Sequence, residues 1–446
     1  MDLETAQLDR ACGVLLAAAA GDALSVENEP GAPPPPDAPT TMKSDSAPGE
    51  WTDDTFRTLV VAEVAASGAD LRTASAQAAI RARWGKDAGS GPLTWAAPVA
   101  LAFLDDPDGL TEAATAIGAL TDDTPEAGEA RMLWCHAIRH AVLTGTLDVR
   151  VGLERLPEPG RTRWVERLRK AERARPRDFT RTGQAAEALQ AAWCAITTTA
   201  VPQDEPVDGS FRVDHLRLAL EDATLGRRDA GAVAGGLLGA AYGASAVPAR
   251  WRLDLRGRSE RGPQDLIALA AALATGGTYA PPVYGGGDRP AITVPHPDDP
   301  GVLLADLAAV RDLPATVTAV VSLCPVGEQE RRTILARTPH WIEVRLADCD
   351  EPADNPNLDF VLHDTVTAIE QLRTGGHVVL VHCVAAYSRT PTIGALYAMR
   401  RTGADRDQAI AAMERALPEA DPTDAFRAAL RRARPDNGWL ARLHPA

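Results

Sequence analysis

Aromatic residues make up only 4% of this 446-residue chain, and this scarcity argues against an all-β sandwich, whose core relies on large inward-facing rings. With alanine and leucine abundant, the composition fits helices packed through small residues. Long apolar runs are also missing. The longest near the N-terminus, Gly13 to Ala20, is too short to span a bilayer, and the opening MDLETAQLDR is acidic where a signal peptide would be basic. No membrane partner and a cytoplasmic location are expected. Lysine and arginine form no long cluster, and 46 basic against 61 acidic residues give a net charge of −15, which disfavours sequence-independent binding to nucleic acid. Six cysteines lie scattered without CxxC spacing, so neither a zinc site nor a disulfide framework is expected.

What is present falls into two textures. From Leu8 to about Thr275, apolar residues recur three and four apart, as in Asp9–Leu24, Thr55–Ala66, Pro125–Thr144, Gly183–Thr199 and Ala230–Ala244, and predict consecutive amphipathic helices. The proline-rich stretch Gly31–Thr41 interrupts them as an expected surface loop. Glycine and proline then crowd together at Thr275–Pro290, where the helical period stops. Beyond that point, short β-branched runs at Ile292–Val294, Thr318–Leu323, Trp341–Leu346 and His377–Val381 alternate with helical patterns such as Leu358–Arg373, which predicts a parallel or mixed α/β sheet. The expected division is a helical domain over 1–277, a linker over 278–290 and an α/β domain over 291–446.

The α/β half contains VHCVAAYSRTP, Val381 to Pro391. A free thiol has a pKa of about 8.5, so a nucleophilic cysteine needs something to stabilise its anion. Here Cys383 closes an apolar strand, Val384, Ala385, Ala386, Tyr387 and Ser388 form a tight loop, and a helix follows. Main-chain N–H groups of such a loop, with the helix N-terminus behind them, make an anion site. Arg389 supplies a planar fork for two phosphate oxygens, and Thr390 is placed to hydrogen-bond the sulfur as it leaves. His382 is expected to orient the loop by hydrogen bonds. A cysteine with an arginine six residues on is common; the conjunction of strand, His-Cys, small-residue loop, Ser-Arg-Thr-Pro and helix is not.

This conjunction resembles the cysteine-dependent protein phosphatases of the dual-specificity branch, over roughly Ile292 to Arg434. The resemblance implies Cys383 as nucleophile, Arg389 as phosphate ligand and an aspartic acid on the loop LADCDEPADNPNLDF as proton donor. Asp348 fits best, Asp350 is the alternative, and Asp354 lies far along. Ala386 stands where that family usually has glycine. No cofactor is implied, and the partner would be a phosphoprotein carrying phosphotyrosine, phosphoserine or phosphothreonine.

A second constellation lies near the N-terminus. GVLLAAAAGDAL (Gly13–Leu24) is followed by Glu29 and by EWTDDTF, which sets Thr52, Asp53 and Asp54 before a helix. Adjacent carboxylates repel unless a cation or a helix N-terminus absorbs their charge, and oxygen ligands of this kind suit Mg²⁺ or Mn²⁺. These residues are similar to the ADP-ribosyl-glycohydrolase family, an all-helical fold with a dinuclear magnesium or manganese centre, and the likeness extends over Leu8–Leu269. It implies metal-ligand roles for Glu29, Thr52, Asp53 and Asp54, with ADP-ribose or an ADP-ribosylated protein as partner. The distant Asp-x-Asp-Thr of that family is missing: the chain reads ATLGRRDAGAVAGG, leaving Asp229 as the surviving carboxylate and Arg228 as a cation able to fill one metal position. A broken metal centre is therefore expected, in a domain that is impaired, regulatory or only ligand-binding.

Overall fold

The computed structural model describes residues 3–27, 49–85, 93–121, 124–179, 184–257, 261–277, 279, 284 and 290–433. Glu29 and the Gly31–Thr41 stretch lie outside them. The chain divides into two compact units. One comprises Met1–Val201, Val213–Val247 and Asp254–Tyr279; the other comprises Pro202–Arg212, Pro248–Leu253 and Ala280–Ala446.

The regular structure of the first unit, among its described residues, is helical apart from an isolated bridge between Glu50 and Arg256. At its centre run the helices Thr5–Glu27 and Arg228–Tyr242. The first of these is buried on every side from Ala11 to Ser25, as its nearly uninterrupted run of alanine, leucine and glycine allows. Gly13, Ala17 and Gly21 recur every four residues and so share one face, and on the partner helix Gly231, Gly235 and Gly239 do the same. A Cβ added at Gly235 would stand 2.2 Å from the Ala17 carbonyl oxygen, and one at Gly239 2.1 Å from that of Gly13. The two helices therefore meet backbone to backbone at these glycines. Around the pair stand Asp53–Ala66, Pro125–Thr144 and Ala185–Thr198, close to the bounds expected from periodicity, and the further helix Pro263–Ala274.

The second unit is built on a five-stranded mixed sheet: β1 (Thr293–His296), β2 (Asp299–Ala305), β3 (Ala319–Ser322), β4 (Trp341–Glu343) and β5 (Val379–His382), in the order β1-β2-β5-β3-β4. β1 is antiparallel to β2; β2, β5, β3 and β4 are mutually parallel. Strand β2 was not anticipated. Its sequence DPGVLLA offers a single β-branched residue and a Pro-Gly pair, so propensity argues against a strand that burial beside β5 imposes. β5 is an apolar run buried on both faces, as expected of an interior parallel strand. Its last residue, His382, is level with Ala305 of β2 on one side and Ser322 of β3 on the other. Three parallel strands thus end together, which is where open α/β sheets place their ligands. The helices Leu358–Thr374 and Arg389–Thr402 flank this edge.

Candidate active site

The loop that follows β5 is held by its carbonyl groups. The imidazole Nδ1 of His382 meets the Cys383 carbonyl at 3.3 Å, Leu307 N–H donates to the Val384 carbonyl at 3.2 Å, and Asp421 N–H donates to the Tyr387 carbonyl at 2.7 Å. In a trans peptide the carbonyl and the next N–H point in opposite directions. Anchoring the carbonyls outward therefore aims the following N–H groups inward, over the Cys383 side chain. Ser388 caps the helix Arg389–Thr402, its carbonyl bonding Thr392 N–H at 3.1 Å and its hydroxyl accepting from Thr423 N–H at 3.3 Å. Cys383 is 1% exposed at the floor of this cradle.

Ala386 has φ = 58°, the one left-handed non-glycine residue among those described. The loop needs that geometry whatever the residue, and alanine adopts it at a cost of about 1–2 kcal/mol. Ala386→Gly should therefore leave thermal stability within about 0.5 kcal/mol, the relief of strain offsetting the looser unfolded chain, whereas Ala386→Val should lose about 2 kcal/mol or more. Thermal melts of the two variants check this.

Arg389 is buried beneath the loop. Its Nη1 donates to the Leu346 carbonyl at 2.8 Å and its Nη2 lies 3.3 Å from Asp348 Oδ2, while its buried Nε finds no hydrogen-bond acceptor among the described residues. A buried donor without an acceptor is expensive unless something else is meant to fill the site. An oxyanion seated in the loop would supply that acceptor.

The geometry separates the two acid candidates. Asp348 faces Arg389 and is 35% exposed, in reach of whatever the guanidinium holds. Asp350 instead accepts from Ala425 N–H at 2.9 Å, at the start of the helix Asp424–Arg432, and Asp354 accepts from the Cys349 thiol at 3.4 Å. Asp348→Asn is accordingly expected to lower kcat/KM for an aryl phosphate by roughly 10²-fold and to remove the alkaline limb of its pH profile, while Asp350→Asn stays within about threefold. The Thr390 hydroxyl does not reach for sulfur; it donates to the Ala305 carbonyl at 3.2 Å, tying the helix to the end of β2. Beside the site, burial pushes the Cys324 thiol up to about 12 against the pull of Arg389, so it stays neutral.

Sequence reasoning did not find two residues that the sheet brings to His382. Ser322 Oγ lies 2.6 Å from its Nε2, and Trp341 Nε1 donates to Ser322 Oγ at 3.0 Å. They lie 60 and 41 positions away in the sequence, and only strand register joins them.

In the helical unit, Asp22 is almost fully buried and accepts four hydrogen bonds: from the main-chain N–H of Thr52 (2.9 Å) and Thr55 (3.2 Å) and from their hydroxyls (2.8 and 2.6 Å). Thr52 also caps the helix Asp53–Ala66 through Asp54 N–H. The TDDT segment thus folds around Asp22 and serves as a helix cap at once. Burial, then the Asp22 and Asp229 carboxylates, raise Asp54 to about 7.

The expected cation is displaced by one residue. Arg228 is exposed, and the neighbouring Arg227, 3% exposed, forks onto Asp229 through Nε and Nη2, the latter at 2.7 Å. Helix geometry explains the shift: Arg227 is the extended residue before the helix Arg228–Tyr242 and points inward, whereas Arg228 begins the helix on its outer face. Among the described residues, no three His, Cys, Asp or Glu side chains are grouped to hold a metal ion. With both Asp229 oxygens on a guanidinium and Asp22 saturated by donors, Thr52, Asp53, Asp54 and Asp229 fit a dinuclear centre poorly. Glu29 lies outside the described residues.

Comparison with known proteins agrees with this two-part anatomy. Residues 3–281 match the family model for ADP-ribosylglycohydrolase, and residues 318–435 match that for the dual specificity phosphatase catalytic domain. Dual specificity protein phosphatase 22-B of Danio rerio is 35% identical over 80 residues, which are 18% of this chain and 44% of that protein, so the chain spans less than half of this relative's length. Among solved structures, an ADP-ribosylglycohydrolase-related protein complex shares 26% identity over 61% of this chain and 99% of its own, with a TM-score of 0.45. A mouse putative dual specificity phosphatase complexed with zinc tungstate shares 22% over 34% of this chain and 91% of its own, with a TM-score of 0.27. Matched over more than half of its residues, the chain belongs to the ADP-ribosylglycohydrolase family and carries a dual-specificity-phosphatase catalytic domain after it.

Proposed function

We propose that the C-terminal unit hydrolyses phosphotyrosine, phosphoserine or phosphothreonine in protein substrates through a phosphocysteine intermediate. The observation that carries this reading is the buried Arg389 fork at the end of the loop that the buried Cys383 opens, with Nε lacking an acceptor among the described residues and Nη2 3.3 Å from Asp348 Oδ2. The Cys383 thiolate attacks phosphorus and the P–O bond to the leaving oxygen breaks as Asp348 gives that oxygen its proton. Asp348, now a carboxylate, takes a proton from water, whose oxygen attacks the phosphocysteine and frees the sulfur as thiolate. Throughout, Arg389 and the loop N–H groups hold the equatorial phosphoryl oxygens. Val384, Ala385 and Ala386 add no charge to the loop, which favours a phosphoprotein over a highly anionic inositol phosphate. A cytoplasmic setting belongs to this reading, since all six cysteines are free and a catalytic thiol needs reducing surroundings. The test is hydrolysis of an aryl phosphate by the intact chain in EDTA; absence of turnover sinks the proposal.

The Arg227–Asp229 pair supports a second reading, for the helical unit: a regulatory or ADP-ribose-binding module whose resident cation is a guanidinium instead of Mg²⁺ or Mn²⁺. Either metal, added at millimolar concentration, should move the melting temperature of this unit by less than about 1 °C, whereas a site filled at a hundred times its Kd would gain about 2.7 kcal/mol. A metal-dependent shift of several degrees, or Mg²⁺-dependent release of ADP-ribose from a modified protein, would restore the competing reading of a metal-dependent glycohydrolase.

A further inference from the structure

The polar groups behind the cradle have one arrangement that satisfies all of them. The indole N–H of Trp341 can only donate, and it donates to Ser322 Oγ. Ser322 is fully buried and has a single proton to give; its one other hydrogen-bond partner among the described residues is His382 Nε2, at 2.6 Å. Were Nε2 protonated, the Ser322 hydroxyl would have no acceptor, and His382 Nδ1 would turn a lone pair toward the Cys383 carbonyl, lone pair against lone pair. The consistent pattern is Trp341 N–H to Ser322 oxygen, Ser322 O–H to His382 Nε2, and His382 Nδ1–H to the Cys383 carbonyl. It fixes the tautomer of a ring that burial, chiefly, holds neutral.

We propose that Ser322 and Trp341 are positioning residues for the phosphatase reaction: through His382 they hold the Cys383 carbonyl outward and thereby aim the Val384 N–H at the thiolate and the phosphoryl group. This proposal rests on the phosphatase reading of the same site. The relay starts on the edge strand β4 and passes through the interior strands β3 and β5, so its members are held by strand pairing and do not come from a loop. Without the Ser322 hydroxyl, His382 loses the partner that sets its ring, the peptide between Cys383 and Val384 can swing, and one charge-assisted hydrogen bond to the sulfur is lost. The charged and titratable groups that also face this region are Arg389 from the following helix, Cys324 beyond β3, Glu343 on β4, Glu330 from the helix Glu328–Leu335, and Asp348 through Arg389. Among the described residues, none of them is hydrogen-bonded to the Ser322 hydroxyl or the Trp341 indole.

The experiment is the pH dependence of kcat/KM for an aryl phosphate in the full chain, comparing wild type with Ser322→Ala, Ser322→Thr and Trp341→Phe, alongside the ultraviolet absorbance of the Cys383 thiolate read against Cys383→Ser. Ser322→Ala and Trp341→Phe should move the acidic limb and the thiolate absorbance together to higher pH. That displacement appears as a roughly three- to tenfold lower kcat/KM on the acidic limb, fading to less than about twofold on the plateau. Ser322→Thr keeps the hydroxyl and should restore the wild-type profile. If Ser322→Ala and Trp341→Phe are folded and slower by the same factor at every pH, with the thiolate absorbance unmoved, the relay is only structural and the proposal falls. Failure of the wild type itself to turn over would instead overturn the phosphatase reading.

Discussion

Cys383→Ser is expected to lower aryl phosphate turnover by roughly 10⁴-fold or more while leaving the fold and phosphopeptide binding in place. The chemical reason is that a serine hydroxyl, unlike a thiol, does not ionise near neutral pH even in a cradle of main-chain N–H groups. The structural reason for intact folding is that the loop is held by the carbonyls of Cys383, Val384 and Tyr387 and by the capping contacts of Ser388, none of which uses the sulfur. Oxygen in place of sulfur also shortens a side chain that is already buried, so no clash arises. The measurement is steady-state turnover together with calorimetric titration of a phosphotyrosine peptide. A serine variant that keeps more than about 1% of wild-type turnover would mean that another group attacks phosphorus.

Arg389→Lys is expected to reduce kcat/KM by roughly 10²- to 10³-fold, most of it in kcat. The guanidinium serves three directions at once: Nη1 is committed to the Leu346 carbonyl, Nη2 lies against Asp348, and Nε is buried without an acceptor among the described residues. A lysine ammonium is a single point on a flexible stem. It can keep one of these contacts, and whichever it keeps, the planar fork that matches the equatorial oxygens of a transferring phosphoryl group is gone. Charge is conserved in this substitution, so a large loss would isolate geometry from electrostatics. A lysine variant within tenfold of wild type would show that charge alone is sufficient at this position.

How much of this could be read from the sequence differs between the two units. The helices of the first unit follow from three-and-four periodicity, and the order of strands and helices in the second follows from β-branched runs, except for β2, which is a strand because of its neighbours. At the thiol site, Cys383, Arg389 and the loop between them are contiguous, so spacing alone locates them. The distinction between Asp348 and Asp350 is not contiguous information: it depends on Asp350 capping a helix that begins 74 residues later, at Asp424, and on Asp348 facing Arg389. The same holds for Ser322 and Trp341, which reach His382 through strand register. In the helical unit, counting back along the chain points to Arg228, but the inward residue is Arg227, because the turn of backbone just before a helix decides which of two adjacent arginines is buried.

The backbone contact between the helices Thr5–Glu27 and Arg228–Tyr242 reaches as far as the acidic cluster. Asp22 follows Gly21, whose face meets Gly231, and Asp229 stands two residues before Gly231. Both carboxylates act on Asp54, so their separation sets the charge density there. Because the nearest atoms facing Gly21, Gly235 and Gly239 across the seam are main chain, an added methyl there meets backbone: a Cβ at Gly21 would stand 2.1 Å from the Gly231 carbonyl oxygen. Such a change would be transmitted as a shift of whole helix ends, altering the electrostatics of the cluster without touching any of its members. The spacing of these charges is thus written in glycines.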